Sequence, residues 1–387
     1  VNIGVIDFFS GCGGASTGFA MARPANARFH IISGLDMDPH SCATFRRAHG
    51  APAEELDIRR LLTDDDLRAR LIASWNLDRF DKVFFIGCAP CQGFAAHRKS
   101  VSGVDLRRSL LVAFCRIVDI VRPDGVFIEN VPDLLSRRHW PYFTAGRNIL
   151  QDAGYSVRAR IYNFAGFGLP QERFRATVLA FPHPFRMPEP LLDHEHFASV
   201  RSAIGKLPPV VPGSAPGKDP MHYTSRHRAD TIEILSKIPK DGGNRPVGVG
   251  PKCLDRAREA HGGYTDVYGR LAWDKPAVTV TARCRTPSCG RFAHPEQNRG
   301  LSIREAALLQ GFPPDFVFEG PFDDKYKQIG NAVPPLVAKV FAEHIAQVFE
   351  TGPVNVSPDD LAKDISRPVG PGFAVTINGI KRRRNAA

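Results

Sequence analysis

Asn2-Ile-Gly-Val-Ile-Asp-Phe-Phe-Ser-Gly-Cys-Gly-Gly14 sets an apolar run directly against a glycine-rich turn. Ile3 to Phe9 reads as a buried strand, and Gly11, Gly13 and Gly14 let the backbone turn tightly and approach a ligand closely. The next apolar run, Phe29–Leu35, is followed by Asp36 and Asp38, where an acid would meet a ribose hydroxyl. A nicotinamide-type turn expects glycine at position 16, and this chain has Ser16. The Gly-x-Gly-Gly spacing therefore suits an adenosyl ligand without a pyrophosphate better, with a purely structural turn as the plain alternative.

Working outward, apolar runs recur at Val83–Ile86, Val126–Ile128, Ala159–Phe164 and Thr177–Phe181, separated by helical patterns such as His40–His49 and Leu106–Val121. Strand and helix in alternation predict an α/β, doubly wound, mainly parallel sheet whose ligands sit beyond the carboxyl ends of the strands. At Pro182 the texture changes. Prolines at 182, 184, 188, 190, 208, 209, 212, 216 and 220 break regular structure and predict a smaller, loop-rich domain. Between Arg283 and Arg304 five arginines (283, 285, 291, 299, 304) face one acid, Glu296, a pattern that suits phosphate contacts. Ser302-Ile-Arg-Glu305 has capping-box spacing and predicts a helix that stops before Pro313-Pro314, and a last helix is predicted over Pro334–Phe349. The resulting division is 1–182, 183–315, 316–350 and an extension, 351–387, that carries Lys381-Arg-Arg-Arg384.

The 387 residues include 51 Lys plus Arg against 40 Asp plus Glu, a net charge of +11 that favours an anionic partner such as nucleic acid. No apolar run is long enough to span a membrane and no signal-peptide pattern opens the chain, so an intracellular protein is expected. Eight scattered cysteines do not make a disulfide framework.

Besides the glycine turn, three windows carry candidate chemistry. In Asp81-Lys-Val-Phe-Phe-Ile-Gly-Cys-Ala-Pro-Cys-Gln-Gly-Phe94 a strand ends in a tight loop, and Cys91 there reads as a nucleophile, as half of a metal or redox pair with Cys88, or as a small apolar residue. A zinc site completed by Cys284 and Cys289 fits poorly, because four residues separate that pair and no histidine has ligand spacing. A thioredoxin-like motif would be followed at once by a helix, whereas Gly93 and a long polar loop follow here. Phe127-Ile-Glu-Asn-Val131 places Glu129 at a strand end, where it reads either as a carboxyl that burial makes a proton donor near neutrality or as a capping or structural Glu. Pro170-Gln-Glu-Arg-Phe-Arg175 puts Arg173 and Arg175 at period two on one face, against either an oxygen-rich substrate or solvent.

The ordered set of Asp7–Gly14, Ala89–Phe94, Asp105 with Arg107 and Leu110, Glu129-Asn-Val131, Gln171–Arg175, Arg299–Ala306 with Leu309-Gln-Gly-Phe-Pro313, and Gln328-Ile-Gly-Asn-Ala-Val-Pro334 resembles the DNA cytosine-5 methyltransferases over residues 1 to about 349. That resemblance implies a Rossmann-like mixed sheet with a target-recognition domain, double-stranded DNA as partner, and S-adenosylmethionine as methyl donor, leaving S-adenosylhomocysteine. It further implies Cys91 as nucleophile on cytosine carbon 6, Glu129 at ring nitrogen 3, Arg175 at the carbonyl oxygen and Arg173 in a supporting or phosphate role. A flipped-out base would be covered by the loop Gln92–Leu106 with His97, Arg98 and Lys99.

By the same resemblance Phe9 and Met37 sandwich the adenine, Asp36 holds the ribose, and Asp57 with Ile58 reads the adenine edge. Gly11, Cys12, Gly13, Gly14, Pro90, Leu110 and Asn331 shape the methionine end, and no metal is called for. Ala89 stands where many members have proline and Ala95 where serine is usual; Asp36 is shorter than the commoner glutamate, and Met37 replaces a frequent bulky residue. The implied setting is the bacterial cytoplasm and nucleoid, as a monomer beside companion restriction or defence proteins. The competing readings are a tRNA cytosine-5 methyltransferase, whose Cys-Phe-Thr signature is echoed only by Cys284-Arg-Thr, and a non-catalytic DNA-binding paralogue, which would have lost Cys91 or Glu129.

Overall fold

The computed structural model describes residues 1–90, 109–261 and 265–370. The first half of the chain alternates β1 (Asn2–Phe8), α1 (Gly14–Met21), β2 (Arg28–Asp36), α2 (Pro39–His49), β3 (Ala53–Glu55), α3 (Asp65–Trp75), β4 (Lys82–Gly87), α4 (Ser109–Val121), β5 (Gly125–Asn130) and α5 (Trp140–Asp152), then adds β6 (Ser156–Asn163) and β7 (Phe174–Phe181). The strands form one sheet in the order β3-β2-β1-β4-β5-β7-β6. β1 to β5 run parallel and β7 runs antiparallel to both its neighbours. The sheet is thus doubly wound and mixed, because the short link from β6 to β7 has no room for the crossover that a parallel pair needs.

Alternation along β1 sends Ile3 and Val5 to one face and Ile6 and Phe8 to the other, and all four are buried. Covered on both faces, such a strand reads as a continuous apolar run. On one face Phe8 packs on Phe85 and Phe114 at ring distances of 5.0 and 5.2 Å. On the other, Phe127 meets Phe341 at 5.4 Å. β3, α3 and α5 were not predicted. Three residues are too few to show a strand period, and α3 buries only Leu71 and Trp75, so its apolar stripe is thin.

The remaining helices are α6 (Val200–Ile204), α7 (Ala229–Ser236), α8 (Lys252–His261), α9 (Ile303–Leu309), α10 (Phe322–Asn331), α11 (Pro335–Thr351) and α12 (Pro358–Ala362). α9 begins with both arms of the expected capping box, between Ser302 and Glu305. α11, the predicted last long helix, carries Phe341 onto the sheet. A third core joins Leu271, Trp273, Phe292, Ile303, Tyr326 and Ile329 to Cys12 of the β1 turn.

The arginine strip is not the phosphate surface that its composition suggested. Arg299 is 1% exposed and bidentate to Glu305 at 2.7 Å, and Arg304 is 2% exposed and held by Asp219 at 2.6 Å. Arg291 pairs with Asp266 and donates to the carbonyls of Gly242 and Arg270, while Arg285 pairs with Asp323 at 2.7 Å. Only Arg283 of the five is exposed without an acid partner among the described residues. The reason is the shortage of regular structure. Carbonyls that no helix or ladder satisfies need donors, and buried guanidinium groups supply them. Arg270 does the same, donating to the carbonyls of Leu235, Ile238, His294 and Gln297.

Candidate active site

The carboxyl ends of β1, β2, β4 and β5 open on a cavity of about 590 Å³. Its first wall is the turn after β1, where Phe9, Gly11 and Gly13 all take left-handed φ values of 57°, 51° and 82°. Glycine adopts this region freely, whereas an aromatic residue there costs about 1–2 kcal/mol. The strain at Phe9 leaves its side chain on the cavity wall. Gly14 serves a different end. A Cβ at that position would lie 2.5 Å from the Val333 carbonyl, so only glycine lets the 331–333 segment close against the turn.

Of the cofactor residues expected from the sequence, Phe9, Gly11, Cys12, Asp36, Met37, Pro90 and Asn331 line this one cavity. Asp36 accepts the Gly11 and Asp38 amides, one on each carboxylate oxygen, both at 2.9 Å. Each oxygen keeps capacity for a further donor such as a hydroxyl, and burial pushes the carboxyl upward. Met37 is 66% exposed, an apolar side chain at the cavity mouth. Asp57, Ile58 and Leu110 are not on the wall. Asp57 is engaged by the Arg59 guanidinium, while Ile58 and Leu110 sit in the core cluster against which Phe9 packs.

On the β5 side of the cavity, Glu129, next to last in β5, pairs with Arg175 of β7 at 2.8 Å, both side chains nearly buried. The β5–β7 register sets Glu129 opposite Thr177, so Arg175, two residues earlier, shares its face. Arg173 differs. It is 2% exposed and donates to the carbonyls of Val280 at 3.0 Å and of Gly330 and Ala332 at 3.3 Å. With Gln171, which donates to the Leu309 carbonyl and accepts the Val280 amide, it ties the start of β7 to the segments of Val280 and Leu309 and to the Asn331 segment. Its guanidinium is thus bonded to three main-chain carbonyls while the residue also lines the cavity.

Cys91, the loop Gln92–Leu106 and Arg107 lie outside the described residues. The described chain reaches Pro90 on the cavity wall, and the Asn130 amide donates to the Ala89 carbonyl at 2.9 Å, anchoring the approach to Cys91. Burial, helped by the Glu129 and Asp7 carboxylates, pushes the Cys88 thiol well up, so Cys88 stays protonated and is no rival nucleophile. Among the described residues no cluster of three or more His, Cys, Asp or Glu could hold a metal.

Sequence reasoning passed over three groups here. Asp7 lines the cavity fully buried and accepts the Ser16 hydroxyl at 2.6 Å. Lys327 pairs with Asp38 at 2.6 Å, and Gln328 accepts the Thr44 hydroxyl at 2.7 Å, both drawing α10 against α2. Only Asp7 had a local signal, its place just before the glycine turn.

Burial is the main cause that raises the Asp7 carboxyl to about 7, partly opposed by Ser16 and aided by Asp36. The folded protein therefore holds this proton more tightly than the unfolded chain. Its stabilising contribution is complete below about pH 4 and is lost as pH rises towards 7, on the order of 4 kcal/mol in all. Asp7→Asn is expected to be more stable than the parent at pH 8 and to differ little at pH 4.5, as measured by urea unfolding at the two values. An unchanged difference between the pH values would refute the assignment.

A doubly wound mixed sheet, a glycine turn and a strand-end carboxylate around one nucleoside-sized cavity define a Rossmann-like methyltransferase of the S-adenosylmethionine-dependent class. The chain belongs to the C-5 cytosine-specific DNA methylases, whose family model matches residues 3–347. It is 31% identical over 353 residues to the Type II methylase M.HgiDII of Herpetosiphon aurantiacus, covering 89% of this chain and 96% of that protein. It is 32% identical over 351 residues to the Type II methyltransferase M1.HphI of Haemophilus parahaemolyticus, covering 89% and 86%. Among solved structures, the Entamoeba histolytica methyltransferase EhMeth shares the fold with a TM-score of 0.57 at 17% identity, covering 90% of this chain and 99% of that one. The protein is a DNA cytosine-5 methyltransferase, from a family that takes its methyl group from S-adenosylmethionine. Among the described residues no helix is long and apolar enough to cross a membrane.

Proposed function

We propose that this enzyme methylates a flipped-out cytosine in a specific duplex sequence through a covalent bond from Cys91, with S-adenosylmethionine held in the β1–β2 cavity. The observation that carries this reading is the convergence of Glu129, Arg175, Pro90 and Asn331 on one cavity with Phe9, Asp36 and Met37. The residues fit the methyl donor. Phe9 and the exposed Met37 offer apolar contact for a flat ring, Asp36 retains acceptor capacity for ribose hydroxyls, and a Cβ on Gly11 would meet nothing within 4 Å, leaving room for a ligand there. When bound, the donor supplies an electrophilic methyl group.

The chain supplies the rest. Carbon 5 of cytosine is a poor nucleophile until a thiolate adds to carbon 6, and Cys91 has that task. Glu129 holds a proton at ring nitrogen 3 as charge enters the ring, and Arg175 serves the carbonyl oxygen; once carbon 5 carries the methyl group, loss of its proton to a base restores the ring and breaks the Cys91–carbon 6 bond, releasing the thiolate. Their resting ion pair keeps both groups positioned before the base arrives. Arg173 tethers the small domain, residues 183–315, which presents the sequence-reading loops, and Arg283 is the member of its arginine strip left for a phosphate. The Type II designation of the relatives supports a restriction enzyme as its companion.

The test is conversion sequencing of DNA from a host expressing the protein. 5-Methylcytosine confined to one recognition sequence is expected, and absence of any modified cytosine in DNA, with modified tRNA, would replace this reading by the RNA one.

A further inference from the structure

The family match ends at residue 347, yet the chain beyond it is built into the catalytic sheet. β6 is one edge of the sheet, and its Arg158 and Arg160 are each 4% exposed. Asp360 and Asp364, in and just after α12, take both: Arg158 at 2.8 and 2.6 Å, Arg160 at 2.6 and 2.8 Å. The strand period puts Ala159 on the opposite face from these arginines, and there the strap continues. The Ile365 amide donates to the Ala159 carbonyl at 2.8 Å, and the side chains of Ile365 and Val369 pack on the core of that second face. The extension therefore wraps round the sheet edge.

It ends against a particular loop. The Val369 amide donates to the Leu135 carbonyl at 2.9 Å, and Val369 pairs with Ser136. Leu134 and Leu135 are fully buried, and they follow Glu129 and Asn130 by a few residues, so this loop lies at the carboxyl end of β5, the end that opens on the cavity. Next come Arg137 and Arg138, both exposed and neither with an acid partner among the described residues. The arginines of the small domain are mostly spent on carbonyls and carboxylates; these two are not.

We infer that Arg137 and Arg138, on the loop braced by the C-terminal strap, contact the phosphate backbone of duplex DNA outside the catalytic pocket. Two adjacent unneutralised guanidinium groups on a loop anchored from both sides lose little freedom on binding and match phosphate oxygens in charge and fork geometry. Such a contact is blind to sequence, adding affinity without specificity. The inference rests on DNA being the substrate.

Because the contact is sequence-independent, any labelled duplex serves as probe. In anisotropy titrations of the full chain, Arg137→Ala/Arg138→Ala is expected to make the slope of log Kd against log salt shallower by about two, with affinity lowered roughly tenfold near 0.1 M salt. Arg28→Ala/Arg79→Ala removes the same charge at the amino ends of β2 and β4, the far pole of the sheet, and should leave the slope as it was. An unchanged slope in the first variant, or an equal change in the control, overturns the inference. Methyl transfer to saturating genomic DNA at low salt, retained in the first variant, reports separately on the active-site reading.

Discussion

Cys91→Ala is expected to abolish methyl transfer, lowering kcat by roughly 10⁴-fold or more, while DNA binding survives. The expectation comes from the substrate. An aromatic ring carbon does not attack a sulfonium methyl group until addition at its neighbour turns the ring into an enamine, and the other cysteine of the window cannot stand in. Cys88 is pushed towards the neutral thiol by burial and by the Glu129 and Asp7 carboxylates. Radiolabelled methyl transfer to host DNA, read beside a binding titration with the same duplex, makes the measurement. Methylation at the parent rate would end the covalent mechanism, and loss of binding together with turnover would mean that Cys91 shapes the DNA site instead.

Glu129→Gln should lower kcat by about 10²- to 10⁴-fold, the usual span for removing a positioned acid, and leave the affinity for DNA within a few-fold. Glutamine preserves the shape of the side chain beside Arg175 and removes its charge and its titratable proton. The variant separates two roles that the 2.8 Å ion pair combines. If Glu129 only positions Arg175, glutamine retains most of the activity and Arg175→Ala carries the loss. If Glu129 moves the proton, Glu129→Gln is the more damaging change.

Much of the site was legible as local chemistry. The apolar runs gave six of the seven strands, and the glycines at 11 and 13 occupy left-handed positions that side chains resist. Phe9 adopts the same region, which no rule of composition would assign to an aromatic residue. The capping box at Ser302 needed only four residues to be read, and it formed. The arginine strip was misread for the complementary reason. Counting acids within the strip found only Glu296, whereas Arg304 is answered by Asp219 and Arg285 by Asp323. A partner distant in sequence is invisible to a window.

The sequence by itself determined the doubly wound class, the turn that opens the cavity and the ordered blocks of a cytosine-5 methyltransferase, because strand period and glycine preference are set within a few residues. Only the tertiary structure decided that Arg173 is bonded to the carbonyls of Val280, Gly330 and Ala332, that Asp7 lies buried on the cavity wall, and that the segment after α11 is a strap on β6. Those outcomes depend on which groups meet when the chain closes. A buried charge must find its counterpart wherever packing leaves it, here across 202 residues from Arg158 to Asp360.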